Sequence, residues 1–241
     1  MDNLKGRTAL ITGASQGIGA DTSRILAARG ADVVIVDINE APLFELKDEL
    51  EKSGVNVLAL KCDVGEEKEV YSVVEKANAV FGHIDILINN AGIFRVDRGP
   101  FSESKTEYWK KKIDVNIYGT LYFCRAVVNQ MIERKWGRII NIASVAGTYG
   151  IAGMADYSLT KGAILAFSKA FAREVAPYGV LVNTVSPGNI NPDIAFLPQS
   201  SYMNRSGLPR ECAEMICFLA SDNASFCCGS DYVVDGCRKK I

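Results

Sequence analysis

The chain has 241 residues, of which 48% are hydrophobic and 23% are charged, a mix that excludes intrinsic disorder, collagen and coiled coil. Its 27 lysines and arginines nearly cancel its 28 acidic residues, so the net charge of −1 gives no global field to attract nucleic acid or an anionic membrane. No targeting segment and no apolar run of roughly 18 residues is found. We therefore expect a cytoplasmic protein with no nucleic-acid or membrane partner.

Short apolar runs alternate with longer amphipathic stretches along the whole chain. In chain order, the predicted strands cover residues 8–12, 32–37, 55–60, 84–89, 138–143, 180–186 and 232–234. They are rich in Val, Ile and Leu at successive positions, which is typical of parallel strands buried on both faces. The predicted helices cover residues 18–29, 41–53, 66–81, 108–134, 157–176 and 209–220. This alternation predicts an α/β fold with a doubly wound, seven-stranded parallel sheet flanked by helices.

A glycine-rich turn, residues 12–19, connects the first predicted strand to the first predicted helix. Its glycines, Gly13, Gly17 and Gly19, allow the backbone to approach a pyrophosphate, and the helix N-terminus supplies free N–H groups. The spacing G-x-x-x-G-x-G differs from the commoner G-x-G-x-x-G, and the alternative is a tight structural turn. Its place between strand and helix favours a dinucleotide site.

Two acidic residues end the next two predicted strands. Asp37 can accept hydrogen bonds from both ribose hydroxyls of NAD and would repel the 2′-phosphate of NADP. The neutral Gln16 in the glycine-rich turn supports NAD, because a phosphate pocket would favour Arg or Lys there. Asp63 follows the third strand and could meet the adenine amino group. The alternative for both acids is an ordinary residue at a strand end.

Tyr157 and Lys161 stand four residues apart at the start of a predicted helix, so they share one face. A free phenol has a pKa of about 10, and a nearby ammonium lowers that pKa. The pair could therefore pass a proton to or from a carbinol oxygen. Ser144 follows the fifth strand, near the ligand-facing edge of such a sheet, where its hydroxyl could bond the reacting oxygen. The alternative for Ser144 is a helix cap or a turn.

In their order and spacing, these residues resemble the short-chain dehydrogenase/reductase family over nearly the whole chain. The further residues that match are Asn89-Asn90-Ala91-Gly92, Asn116, Pro187-Gly188, Phe218-Leu219-Ala220-Ser221-Asp222 and Val234-Asp235-Gly236. The resemblance implies one Rossmann-like domain over residues 1–241 that moves a hydride between a nicotinamide and a secondary alcohol or ketone. It also implies a homotetramer assembled through the helices at 108–134 and 157–176.

No metal site is expected, because the seven cysteines form no Cys-x-x-Cys pair and the single histidine, His83, cannot complete a zinc set. The resemblance assigns roles to individual residues. Tyr157 would be the acid/base, Lys161 would hold the nicotinamide ribose and lower the pKa of Tyr157, Ser144 would orient the substrate oxygen, and Asn116 would hold a proton-relay water. Residues 89–92 would stabilise the central strands beside the cofactor. The expected NAD-binding residues are Gly13, Ser15, Gln16, Gly17, Ile18, Gly19, Asp37, Asp63, Val64, Asn90, Ala91, Gly92, Tyr157, Lys161, Pro187, Gly188 and Ile190.

The chain departs from the family pattern in three places. Where the family has a threonine near position 191, the sequence offers Asn189 or Asn191 as a substitute. The substrate loop near 189–207 is short, which puts a full lid in doubt. Cys227-Cys228-Gly229 replaces a Thr-Gly-type turn before the last strand, a change to which we attach no function.

Three functions follow from these observations. The leading one is an NAD-dependent oxidoreductase of a small-molecule alcohol or ketone, which could be a sugar, a sterol-like compound or a derivative of a hydroxy acid. The alternative is a 3-oxoacyl-acyl-carrier-protein reductase, a group that usually prefers NADP. Two arginines that grip the carrier in that group correspond here to Lys135 and Tyr178. A non-catalytic NAD-binding regulator would be favoured only if the proton-transfer residues were broken. The candidate residues of the substrate pocket are Val145, Tyr149, Met154, Asn189, Ile194 and Phe196.

Overall fold

The computed structural model describes residues 4–94 and 99–239. Seven parallel strands form one sheet in the order β3-β2-β1-β4-β5-β6-β7, which confirms the predicted α/β fold. The strands are β1 (Thr8–Thr12), β2 (Asp32–Asp37), β3 (Val57–Lys61), β4 (Ile86–Asn89), β5 (Gly137–Ile142), β6 (Val180–Pro187) and β7 (Asp231–Val234).

Helices connect the strands and cover both faces of the sheet. They are α1 (Gly17–Ala28), α2 (Glu40–Glu51), α3 (Glu67–Phe81), α4 (Thr106–Ile113), α5 (Gly119–Glu133), α6 (Val145–Tyr149), α7 (Ala155–Val175) and α8 (Pro209–Leu219). A π-helix at Asp114–Tyr118 joins α4 to α5, and single turns of 3₁₀-helix lie at Phe101–Glu103, Ala176–Tyr178, Pro198–Ser200 and Asp222–Ala224. None of the helices in the described ranges is both long and apolar enough to cross a membrane.

The central strands bury side chains on both faces, as the unbroken apolar runs predict, whereas the edge strand β7 has no fully buried residue. In β1, Ile11 packs into the layer that includes Leu26 of α1 and Ile216 of α8. Its neighbour Leu10 points to the opposite face and packs into the layer that includes Phe123 of α5. Because successive side chains of a strand alternate between faces, both layers are built from the same strands.

The direction of the strand order reverses between β1 and β4, which are hydrogen-bonded neighbours. In open parallel sheets, ligands bind in the crevice at the carboxyl ends of strands beside such a reversal. Here the carboxyl end of β1 leads into the glycine-rich turn, and that of β4 leads into residues 90–94.

Several predicted boundaries were wrong. β3 and β4 each begin two residues later than predicted, and at β4 the reason is visible, since the Ile84 N–H donates to the Gln130 side chain instead of a neighbouring strand. The predicted helix at 108–134 begins at Thr106 and is interrupted by the π-helix. A π turn adds one residue without disturbing the apolar pattern, so that pattern does not reveal it. The five-residue α6 was missed because it is too short to show a helical period.

The segment between β6 and α8, residues 188–208, is the least regular part of the described chain. Among the described residues its regular features are one 3₁₀ turn and two isolated bridges, Ile190 with Gly207 and Ser201 with Arg238, and residues 192–199 are all exposed. That residues 1–241 form one domain stays a prediction.

Candidate active site

At two positions of the glycine-rich turn, Gly13 and Gly19, the packing leaves no room for a side chain. A Cβ on Gly19 would lie 2.2 Å from the Gly13 carbonyl oxygen, and a Cβ on Gly13 would lie 2.8 Å from Ala91 Cα. Gly17 has a φ of +56° and faces open space. Helix α1 has no side-chain cap and no acidic residue in its first turn, which leaves N–H groups and the positive dipole end for an anion. This cradle fits the pyrophosphate of a dinucleotide.

Residues after β4 clamp this turn in place. The Asn90 side-chain amide donates to the carbonyl oxygens of Thr12 and Gly13 at 3.0 and 2.9 Å. In return, the Thr12 hydroxyl accepts the backbone N–H groups of Asn90 and Ala91, both at 3.0 Å. These hydrogen bonds hold the ends of β1 and β4 together, in the place where the family resemblance implies that residues 89–92 stabilise the central strands.

Asp37 is 7% exposed and lies at the rim of a cavity of about 680 Å³, the Asp37 cavity. One carboxylate oxygen accepts the N–H and the hydroxyl of Ser15 at 3.1 and 2.7 Å, and the other accepts the Asn39 N–H at 2.9 Å. Ser15 thus supports Asp37 and does not line the cavity. The carboxylate is fixed before any ligand arrives.

Asp63 lines the same cavity but its carboxylate already has partners within the protein. It accepts the Lys111 ammonium at 2.8 Å and the Gly65 N–H at 2.9 Å. Burial opposes ionisation, and the hydrogen bonds from Lys111 and Gly65 outweigh it, so the pKa of Asp63 is lowered. Its predicted contact with adenine would have to share these oxygens.

A second cavity of about 540 Å³, the Tyr157 cavity, adjoins the first. Ile18, Asn90, Gly92, Phe94 and Ile190 line both. Of the predicted catalytic and cofactor-binding residues, the three that line neither cavity are Ser15, Gly19 and Asn116. The structure therefore brings the predicted nucleotide-binding and proton-transfer residues to one continuous crevice at the carboxyl edge of the sheet.

Tyr157 lies in the first turn of α7 and is 8% exposed, with the Phe94 ring packed edge-on at 5.1 Å. Burial raises the pKa of Tyr157 to about 12, although a hydrogen bond with Ser144 opposes the shift. The Lys161 ammonium lies 5.8 Å from the centre of the Tyr157 ring and donates to the Ile142 carbonyl at 2.7 Å. Burial lowers the pKa of Lys161 to about 8.

The predicted lowering of the Tyr157 pKa by Lys161 is therefore wrong for the structure as it stands. The physical reason is burial, which disfavours both the phenolate and the ammonium, while the ammonium is directed to a backbone carbonyl. Tyr157 is a neutral hydroxyl at neutral pH in this environment. It can donate a proton to a carbonyl oxygen that enters the cavity.

Ser144 combines the two interpretations that the sequence left open. Its hydroxyl accepts the Ala146 N–H at 3.1 Å and so caps α6, and it also hydrogen-bonds Tyr157. The cap fixes the hydroxyl beside the phenol, where both can contact one substrate oxygen.

Asn116 lies beneath the cavities within the π-helix and is 1% exposed. Its side chain exchanges hydrogen bonds with the backbone N–H and carbonyl of Ile93 at 2.7 and 3.1 Å and donates to the Thr160 hydroxyl at 3.0 Å. It thereby ties the segment that follows β4 to α7. The predicted relay water stays a prediction.

The structure separates the candidate pocket residues into two groups. Four of them line the Tyr157 cavity, namely Val145, Met154, Asn189 and Phe196. Tyr149 and Ile194 do not, and their exposures of 60% and 48% show why: one ends the short α6 and the other lies in the exposed loop. No cluster of His, Cys, Asp and Glu suited to a metal ion occurs in residues 4–94 and 99–239.

Sequence reasoning missed three residues near this site. Lys112 of α4 is buried and pairs with Asp156, which also accepts the N–H of Tyr157 at 2.7 Å. Arg238, near the end of the chain, lines the Tyr157 cavity. No signal singled them out, because Lys112 belongs to a run of three lysines and Arg238 to a polar tail.

Comparisons with known proteins agree with this geometry. The sequence profile of the short chain dehydrogenase family matches residues 7–197. A 3-oxoacyl-[acyl-carrier-protein] reductase of Escherichia coli (strain K12) is 38% identical and is aligned over 97% of this chain and 98% of its own length. A cyclohexanol dehydrogenase of Acinetobacter sp. (strain SE19) is 36% identical over 98% of this chain and 96% of its own length.

Among solved structures, an NAD⁺-bound xylitol dehydrogenase superposes with a TM-score of 0.92 at 30% identity, covering 97% of this chain and 99% of its own. The family profile, the full-length relatives and the crevice lined by Ser144, Tyr157 and Lys161 all agree. The chain therefore belongs to the short-chain dehydrogenase family and is an oxidoreductase that acts on CH–OH or carbonyl groups.

Proposed function

We propose that the protein is an NAD-dependent oxidoreductase that interconverts a secondary alcohol and a ketone on a small molecule. The observation that carries this proposal is the continuity of the two cavities: the hydroxyl-bearing Tyr157 and Ser144 line one, Asp37 lines the other, and Ile18 and Gly92 line both. The nicotinamide, when bound, supplies or accepts the hydride.

The choice of NAD over NADP is supported by the charges around Asp37. Among the described residues that line the Asp37 cavity, Lys111 is the only cation, and its ammonium is bonded to Asp63. A 2′-phosphate would thus meet a fixed carboxylate with no free cation to balance it. The xylitol dehydrogenase that superposes on this chain is described as NAD⁺-bound.

The chain's own residues would divide the remaining work. Tyr157, protonated at neutral pH, would donate its proton to the oxygen of an incoming ketone, and Ser144 would hold that oxygen by a hydrogen bond. Lys161, with a pKa of about 8, would position the nicotinamide ribose and stabilise negative charge that develops on the phenol. Phe94 and Met154 limit the water that reaches the phenol.

The second candidate is a carrier-protein reductase, favoured by the 38% identity to the Escherichia coli enzyme. Against it stand the neutral and 52% exposed Tyr178 and the single charge of Lys135 at the two positions predicted to grip an acidic carrier. A non-catalytic regulator is disfavoured because Asn116, Ser144, Tyr157 and Lys161 are all present.

Steady-state kinetics distinguish the two enzymes. We expect kcat/KM with NADH for at least one ketone in a panel of sugars, cyclic ketones and oxo acids to exceed that for acetoacetyl-carrier protein. A carrier substrate that is better by tenfold or more would establish the reductase. Equal kcat/KM with NADH and NADPH would contradict the cofactor assignment.

We further propose a homotetramer in the cytoplasm. The segments expected to form the interfaces, residues 108–134 and 157–176, expose large apolar side chains, with Tyr118 44% exposed and Leu159 58% exposed. All seven cysteines are free thiols, as suits a reducing compartment. Light scattering at micromolar concentration tests the assembly, and a mass near 26.2 kDa would reject it.

A further inference from the structure

Arg238 is placed in the wall of the Tyr157 cavity by the chain that follows β7. This tail folds back over the segment between β6 and α8, where Arg238 forms a bridge with Ser201. Backbone hydrogen bonds flank the bridge, from the Tyr202 N–H to the Cys237 carbonyl at 2.9 Å and from the Lys239 N–H to the Ser200 carbonyl at 3.0 Å. The position of Arg238 is therefore set by backbone pairing on both sides.

The charged residues that line the Tyr157 cavity, among those the structure describes, are all cations. The described residues that line the Tyr157 cavity include two cations, Lys161 and Arg238, and no aspartate or glutamate. Lys161 already donates to the Ile142 carbonyl and lies beside Tyr157. A cavity with these charges favours a ligand that carries a negative group.

The Arg238 side chain has no partner within the described part of the chain. The residue is half-buried, and its guanidinium makes no hydrogen bond or ion pair with residues 4–94 or 99–239, whereas Arg205 holds Glu211 with two hydrogen bonds of 2.8 and 2.6 Å. A guanidinium presents a fixed fork of donors that matches a carboxylate or a phosphate. The unpaired guanidinium and the absence of Asp and Glu from the described cavity lining both favour an anionic ligand.

We propose that Arg238 binds an anionic group, a carboxylate or phosphate ester, on the carbonyl substrate of this enzyme. The proposal rests on the proposed function, because it names the substrate class of that same cavity. The substrate class becomes oxo acids and the corresponding hydroxy acids, or their phosphate-bearing analogues. The anion is held at Arg238 while the carbonyl oxygen meets Tyr157 and Ser144.

The test compares binding of matched charged and neutral ligands. The probes are 3-oxobutanoate and 4-oxopentanoate with their methyl esters, measured by calorimetry on the Tyr157→Phe protein with NAD⁺, which has no hydride to transfer to a ketone. We expect at least one acid to bind about tenfold or more tightly than its ester. Arg238→Leu should remove that difference and leave ester binding unchanged, and Arg238→Lys should restore part of it.

Lys239→Gln is the matched control, because it removes one positive charge at the next residue, whose ammonium bonds Asn204 and lies over the Tyr202 ring. It should leave the acid-to-ester ratio within twofold. Equal binding of acid and ester by the parent protein, or an unchanged ratio in both Arg238→Leu and Arg238→Gln, would overturn the proposal. Far-UV circular dichroism identifies a variant that has not folded, and Arg238→Lys then decides.

Two further measurements complete the test. The first identifies which part of the ligand carries the anionic group, and the second tests the proposed oxidoreductase function independently of Arg238. If acetoacetyl-phosphopantetheine binds more tightly than any free acid, and Arg238→Leu loses this binding, the anionic group belongs to the arm of a thioester substrate. Arg238 would then still be the residue that binds the anion. Oxidation of NADH by the unmodified protein reports the function separately. Binding that depends on Arg238 without any NADH oxidation would overturn the proposed function and keep the anion site.

Discussion

The two ends of the crevice are built differently. The nucleotide end, residues 12–19 and 89–92, is held by strand ends, by the Asn90 and Thr12 hydrogen bonds and by contacts that admit no Cβ. The substrate segment, residues 188–208, has an exposed stretch at 192–199 and is held by the Asn189 and Ser206 side chains and by the C-terminal tail. Close backbone packing therefore fixes the nucleotide end, while a few side-chain and tail contacts hold the substrate segment.

If the buried Tyr157, which lies between these two regions, supplies the proton, its substitution should have the largest effect. We expect Tyr157→Phe to lower kcat by about 100- to 10,000-fold, because general acid catalysis is commonly worth that much, while NADH affinity changes little. Single-turnover kinetics and NADH titration measure the two quantities. Tyr149→Phe is the control, since Tyr149 is 60% exposed and lines neither cavity. Retention of more than a tenth of the activity by Tyr157→Phe would mean another proton donor.

The next effect concerns the buried support of α7. Lys112→Met should lower the free energy of unfolding by about 3 kcal/mol, because it leaves the mostly buried Asp156 without its partner. Denaturant unfolding measures this loss. Lys112→Met combined with Asp156→Asn should cost less than the sum of the two single changes. The control is Lys110→Met, because Lys110 lies two residues earlier on the same helix and is exposed. An equal loss in both single lysine variants would remove the ion pair as the cause.

Cofactor choice should depend on the nucleotide end alone. Asp37→Ser should shift the ratio of kcat/KM for NADH over NADPH toward NADPH by roughly 10- to 100-fold, because it removes the negative charge that a 2′-phosphate would meet. The exposed Asp48 on α2 supplies the control Asp48→Ser, which should leave the ratio unchanged. An unaltered ratio in Asp37→Ser would show that another residue sets the preference.

We expect the buried Lys161 ammonium to lower the free energy of unfolding. Because burial lowers its pKa to about 8, the folded state carries the charged form at neutral pH at a penalty. Lys161→Met should therefore raise the free energy of unfolding by an amount on the order of 1 kcal/mol at pH 7. As the pH rises from about 8 to 10.5, the ordinary pKa of a lysine, the folded lysine loses its proton first and the penalty falls. Thermal unfolding from pH 7 to 10.5 should show the gain shrinking, and a gain that is constant or grows would contradict this account.

The smallest effect is expected in the substrate segment. Arg205 and Glu211 form an exposed ion pair, and such pairs are worth about 0–1 kcal/mol, so Arg205→Gln should change the free energy of unfolding by less than about 1 kcal/mol. Denaturant unfolding checks this beside Lys112→Met. A loss as large as that of the buried pair would show that the substrate segment is as firmly built as the nucleotide end.

Local patterns predicted most of the fold and much of the site. The seven apolar runs became the seven strands, and the spacing of Tyr157 and Lys161 did place both residues on one cavity. They could not predict the π-helix around Asn116, since its one-residue insertion leaves the apolar period readable as a single helix. Nor could they predict the raised pKa of Tyr157, because desolvation depends on how completely Phe94 and the cavity wall cover the phenol.

By itself, the sequence determined what depends on neighbours along the chain: the alternation of strands and helices, the glycines of the phosphate cradle, and the pairing of a tyrosine with a lysine one turn away. Only the tertiary structure decided which of three successive lysines is buried, with Lys112 reaching Asp156, and which tail residue enters the cavity, with Arg238 held there by Ser201. The physical reason is that burial and charge pairing are set by contacts between residues far apart in sequence, and no local period encodes them.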